Sequence, residues 1–125
     1  MQASFGRVVY LHICSYTIGV TGIRFEWDEA KNLSNQRKHG VSFEVASQVF
    51  RDPLHLVVAD RVVAGEQRWQ ALGLVEQEAG SFPLLVVAHT IREDLDDGGF
   101  LEVVRIISAR RATAEERKGY EDENG

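Results

Sequence analysis

Cysteine is almost missing from this chain. Cys14 is the single one, which excludes an internal disulfide framework and a four-cysteine zinc site. Proline occurs twice, at Pro53 and Pro83, and both positions read as breaks between elements. No stretch approaches the roughly 18–20 unbroken apolar residues that a membrane helix needs. Internal repeats and low-complexity segments are absent as well. Positive charge is in deficit, with 14 Lys and Arg against 19 Asp and Glu and a formal net charge of −5. That is the wrong sign for a protein that holds nucleic acid by bulk electrostatics. What is present is a 125-residue chain that is 44% apolar, enough for one domain with a real core. The thiol scarcity and the missing membrane segment suit a reducing cytoplasm.

The charge is unevenly spread. Arg105, Arg110, Arg111, Arg117 and Lys118 crowd into one short stretch, while Asp94, Asp96, Asp97 and residues 121–123 are acidic. The local field, not the net charge, governs a small site. Residues 1–24 contain no Asp or Glu and carry only Arg7 and Arg24. They read as an N-terminal extension, disordered or upstream of the true start, with a strand-like run from Val8 to Cys14. No Ala-x-Ala cleavage pattern follows that run. The domain proper is expected over residues 25–125.

From Phe25 onward the pattern is orderly. Asp28 reads as an N-cap, Glu29 to His39 as a helix with an inward stripe of Ala30, Leu33 and Arg37, and Gly40 as its terminating glycine. Ser42 reads as the N-cap of a second helix whose apolar face is Phe43, Ala46, Val49 and Phe50. Asp52-Pro53 stops it. Four strands follow: Leu54 to Ala59, Arg68 to Val75, Leu84 to Ile91 and Leu101 to Ser108. Their connections are too short for crossover helices, which predicts an antiparallel meander. Thr113 and Glu116 form a capping box that opens a last helix to about Glu121. The fold class is therefore α+β: two N-terminal helices, a four-stranded antiparallel sheet and a C-terminal helix.

Three stretches resemble the BrnT toxin family: Phe25 to Lys31 running on to Asn35 and Arg37 to Phe43; Val49 to Pro53; and Arg105 to Thr113, closing with Glu116-Arg117 and Tyr120-Glu121. Gly65 to Arg68 and Leu72-Gly73 resemble it too. The resemblance covers about residues 25–121 and implies a RelE-like fold. It also implies a metal-independent, cofactor-free ribonuclease that slows translation in the cytoplasm. A BrnA-like ribbon-helix-helix antitoxin would neutralise it and would carry the pair to operator DNA. Three departures stand out: residues 1–24 have no counterpart, the loop from Glu93 to Phe100 is long and acidic, and few basic residues follow Thr113. The acidic tail and the negative net charge support a second reading, a catalytically weak or inactive interaction module acting in operon autoregulation.

Cleaving RNA without a metal requires positioning the strand, taking the 2′-hydroxyl proton and stabilising phosphate charge. The planar donors of arginine match two phosphate oxygens at once. Arg105, Arg110 and Arg111 are the leading candidates, with the Thr113 helix start offering amides to an anion. Arg105 interrupts an apolar strand, so it either meets RNA or pairs with a carboxylate such as Glu66. Glu66 and Arg68 share a strand face; the Glu is a general base or half of a cross-strand ion pair. His39 is a candidate acid or base, and Lys38 a candidate RNA contact, although helix capping accounts for both. Ser108 is placed to bind phosphate. Tyr120 either stacks on a base or packs the last helix on the sheet. Trp27 and Trp69 read as core or antitoxin contacts, and His89 as a core histidine. His12 and His55 lack a supporting pattern, and no histidine pair has metal-ligand spacing.

Overall fold

The computed structural model describes residues 7–12, 20–78, 80–96 and 99–125. Its strands are β1 (Arg7–His12), β2 (Val20–Asp28), β3 (Leu56–Val63), β4 (Glu66–Leu74), β5 (Leu84–Asp96) and β6 (Gly99–Arg111). They form one sheet in the order β1-β2-β6-β5-β4-β3. Helix α1 (Glu29–His39), helix α2 (Phe43–Ala46) and a 3-10 helix (Ser47–Arg51) connect β2 to β3, and α3 (Ala114–Asn124) follows β6.

The α+β class and the β3-to-β6 antiparallel meander match the sequence reading. The β3–β4 turn is tight because Ala64 and Gly65 both take positive φ, 52° and 81°, the geometry of a two-residue hairpin loop. The expectation of a four-stranded, wholly antiparallel sheet needs correcting. β2 lies parallel to β6, with Glu26 beside Arg105, and β1 pairs antiparallel with β2. Parallel neighbours need a long connection, and here it is everything from α1 through β5. Residues set apart as an extension thus supply β1 and the first half of β2. Cys14, the end of the strand-like run, lies outside the described residues.

The helix caps follow the sequence. The Asp28 carboxylate accepts the Lys31 amide at 3.1 Å, and Gly40 ends α1 with φ 71°. Ser42 accepts the Val45 amide at 3.1 Å, but α2 tightens after one turn into the 3-10 helix instead of running on to Phe50. The inward stripe of α1 is different from the one expected. Ala30, Leu33 and Arg37 are exposed, and the buried residues are Asn32 and Asn35. The cause is that β2 ends at Asp28, which leaves the far half of β6 without a strand on that edge. Asn35 fills that place: its amide nitrogen donates to the carbonyls of Ala109 (2.8 Å) and Val41 (2.9 Å), and its oxygen accepts the Ala109 amide at 3.2 Å. An apolar side chain would leave those backbone groups buried and unpaired. Asn32 does the same for the Phe43 amide at 2.8 Å.

Each face of the sheet has its own core. Trp27, Phe43, Val49, Leu85, Val87 and Ile106 lie among the buried residues on one side. Gly73 belongs here, because any Cβ at that position would stand 2.8 Å from Val49 Cγ1. On the other side, Tyr120 of α3 packs on Leu72, Leu84 and Val86. The two layers meet at Asp52. Its carboxylate accepts the Tyr120 hydroxyl at 2.5 Å and the amides of Leu74 (2.8 Å) and Leu54 (2.9 Å). Burial opposes ionisation of Asp52, but these donors together with His55 hold its carboxyl below its usual range. Burial and the same carboxylate push Tyr120 up to about 12. Tyr120→Phe removes a hydrogen bond to a charged acceptor and should lower unfolding free energy by about 1.5–3 kcal/mol in urea denaturation, with an unchanged m-value.

Candidate nucleic-acid interface

Strand register builds the site. On β6 and β5, Arg105 stands opposite Thr90, Ser108 opposite Ala88 and Arg110 opposite Val86. Arg105 also stands beside Glu26 of β2. The β4–β5 ladder reaches Trp69 opposite His89. In the same register the next same-face residues are Arg68 beside Thr90 and Glu66 beside Arg92. One row therefore crosses four strands, Arg68–Thr90–Arg105–Glu26. A second, two residues on, holds Glu66, Arg92, Val103 and Arg24. All point to the α3 side of the sheet, since side chains two apart share a face. Among the described residues, helix α3 packs on that face at Leu72, Leu84 and Val86, with Leu56, Leu74 and Ala112 beside them. Thr90 and Val103 are the buried floor of the uncovered part, and Arg105, Arg92 and Ser108 are exposed on it.

The arginines differ in commitment. Arg92 donates twice to Glu26, at 3.1 and 3.0 Å, and Arg24 lies 3.4 Å from the same carboxylate and 3.0 Å from Asp94. Glu26 raises the Arg92 pKa above its ordinary value, with lesser help from Asp94 and Glu66. Among the described residues, the guanidinium groups of Arg68 and Arg105 have no carboxylate partner. The Arg68 Nε is buried without any hydrogen-bond acceptor. The Arg24 Nε and the His89 Nε2 are buried and unmatched in the same way.

The structure therefore brings Arg105, Arg68, Glu66 and Ser108 to one open face. It separates the other expected residues. Arg110 and Arg111 are consecutive on β6 and point to opposite faces. Arg110 is clamped by Glu116 at 2.8 and 2.9 Å and donates to the Arg111 carbonyl at 3.2 Å. Arg111, opposite core-facing Leu85, reaches Gln77 at 3.3 Å. The pair does not converge on one pocket. The Thr113 helix start is closed by its own capping box, which takes the Glu116 and Thr113 amides, so those amides are not offered to an anion. His39 and Lys38 end the 11-residue α1, about 16 Å of helix from its start next to the row. Tyr120 is buried and bonded to Asp52; it packs α3 and has no face open to a base. Trp27 is core, half-buried Trp69 stands opposite His89, and His89 is a fully buried histidine. Its Nδ1 meets the Val87 carbonyl at 3.1 Å, and burial lowers its pKa.

Three residues of this face escaped the sequence reading: Arg24, Glu26 and Arg92. Alternation within Phe25-Glu26-Trp27 was the available signal, since it sets Glu26 opposite to two core aromatics. Among the described residues, no three His, Cys, Asp or Glu side chains cluster as metal ligands. Among the same residues, no helix is long and apolar enough to cross a membrane.

A family model described as "Ribonuclease toxin, BrnT, of type II toxin-antitoxin system" matches residues 27–116. No curated protein matches the chain. The matched span takes in Glu66, Arg68, Thr90, Arg92 and Arg105 and stops just short of Arg24 and Glu26.

The Arg110–Glu116 clamp has a pH signature. The Arg110 hydrogen bonds, together with the Thr113 amide, outweigh burial and lower the Glu116 carboxyl from its ordinary 4.5 to about 2. A depressed carboxyl stabilises the fold above its unfolded pKa, and that stability is lost as pH falls through the folded one. The clamp's contribution should therefore decline between pH 4.5 and about 2. Glu116→Gln should show a shallower loss of thermal stability than the parent across that window, read by calorimetry at several pH values.

Proposed function

The chain belongs to the BrnT family of ribonuclease toxins of type II toxin–antitoxin systems, and on that premise we propose that it cuts RNA on the open, arginine-lined face of its sheet. The observation that carries this is the pair Arg68 and Arg105 on either side of Thr90, two guanidinium groups that have no carboxylate partner among the described residues. A phosphodiester lying over Thr90 takes donors from both, and Ser108, three residues along β6 from Arg105 and on the same face, adds a hydroxyl. Charge that develops on the phosphate oxygens meets positioned donors instead of water. This stabilisation comes from guanidinium groups and needs no metal ion.

Glu66 supplies the base. It lies on the same face as Arg68, two residues away, with an exposed carboxylate that accepts no hydrogen bond among the described residues. It takes the proton of the ribose 2′-hydroxyl, the 2′-oxygen bonds to phosphorus, and the bond to the 5′-oxygen breaks. The leaving oxygen takes a proton from solvent at the open face. The products are a 2′,3′-cyclic phosphate and a 5′-hydroxyl. Cutting RNA in the cytoplasm in this way lowers translation.

A type II pair includes an antitoxin, and the partner in this reading is BrnA-like. Its ribbon-helix-helix part carries the complex to operator DNA, which the toxin meets only through it. The RelE-like fold belongs to the same reading, supported by helices packed around an antiparallel meander.

Purified protein and end-labelled single-stranded RNA test the assignment. Arg105→Ala and Arg68→Ala should each lower the cleavage rate by about 10²–10³. Glu66→Gln should lower it by about 10²–10⁴, and Arg111→Ala should leave it near the parent value. Inducing the parent chain alone should arrest growth. Cleavage that persists in the Arg68→Ala, Arg105→Ala double variant overturns the site. RNA left intact by the parent favours the interaction module instead.

A further inference from the structure

Arg92 has an unusual position for an ion-paired arginine. Its partner Glu26 is nearly inaccessible, with a side chain 4% exposed, whereas Arg92 itself is 46% exposed. The carboxylate thus forms part of the floor and the guanidinium part of the surface. Burying a carboxylate under a sheet face is costly unless it is fully bonded, and Glu26 is bonded by Arg92 from one side and approached by Arg24 from another. A guanidinium has five N–H donors. The fork to Glu26 occupies one on each terminal nitrogen, which leaves three unspent. Arg110 is different, because it also spends a donor on the Arg111 carbonyl and lies at the end of the face that α3 covers.

We propose that Arg92 is a second phosphate subsite and that Glu26 is the positioning residue that holds it in place. The proposal rests on the reading of the face given above. Arg92 lies two residues along β5 from Thr90, which at strand rise is about 6.6 Å, and Glu66 lies across from it on β4. A single strand of RNA with its scissile phosphate between Arg68 and Arg105 extends its neighbouring phosphate to Arg92. The ribose joining them then passes Glu66. The fork fixes the plane of the Arg92 guanidinium, so its free donors face the strand without first being ordered. The face holds two successive phosphates of one backbone.

The test uses the full chain and uncleavable 2′-O-methyl probes, one with a single phosphodiester and one with two. Binding is read by fluorescence anisotropy over a range of salt. Arg92→Ala should weaken the two-phosphate probe about tenfold and reduce its salt slope by about 0.7, the value for one lost contact to a single strand. It should leave the one-phosphate probe unchanged. Glu26→Gln should copy that loss in the parent and add nothing in the Arg92→Ala background. If Glu26→Gln does not fold, Arg92→Lys carries the test: it keeps the charge, loses the fork and should weaken only the longer probe. An unchanged salt slope in Arg92→Ala overturns the subsite. A Glu26→Gln loss that persists without Arg92 overturns the positioning role. If Arg105→Ala binds the one-phosphate probe as the parent does, the reading of the whole face fails, which is a separate result.

Discussion

Asn35 stands where a strand would otherwise be. The parallel partner of β6 stops at Asp28 because the chain turns there into α1. Beyond that point β6 has backbone groups facing the helix, and the Asn35 amide takes both the carbonyl and the N–H of Ala109. A side-chain amide offers the same N–H donor and C=O acceptor as a peptide unit. This one substitution keeps β6 extended to Arg111, seats α1 in line with β2, and allows the second layer of helices to pack below. The bulge between Ala88 and His89 lies on the same stretch of β6 and β5. It shifts the alternation so that Ser108 and Arg110 stay on the face of Arg105 although three and five residues separate them from it.

In the proposed reading, an acidic chain holds an anion on this face. A net charge of −5 is an average over the whole chain, and on this face Glu26 and Asp94 are already paired while Glu66 lies open. Glu26 and Asp94 serve Arg24 and Arg92, and Glu116 serves Arg110. Of the arginines in the two rows, Arg68 and Arg105 have no carboxylate partner among the described residues. The guanidinium groups that matter are those without a carboxylate partner, and identifying them requires knowing every other pairing first.

Much of the fold was legible in local chemistry. Asp28, Ser42 and Thr113 cap the helices they precede, Gly40 ends α1, and the meander strands fall where short turns and apolar runs place them. Each of those signals acts within a few residues. The strand-like run from Val8 overlaps β1, but the pairing of the N-terminal strands was not legible, because joining β2 to β6 brings together segments about eighty positions apart. Nor was the inward face of α1, whose buried residues are asparagines and so escape any search for an apolar stripe. The candidate site was half legible. Parity alone put Glu66 with Arg68, but crowding in sequence wrongly grouped Arg110 with Arg111, since neighbours on a strand point to opposite faces. His39, Lys38 and Tyr120 carry suitable chemistry at the wrong place.

The sequence by itself determined which segments are helix and which are strand, where the caps fall, and which residue types are able to hold a phosphate. These follow from interactions between residues a few positions apart. Only the tertiary structure decided which arginines remain unpaired, which carboxylate lies open beside them, and that Glu26 and Arg92 belong to the same face. Those outcomes depend on strand register and on competition among charges from four strands, and neither is set until the sheet closes.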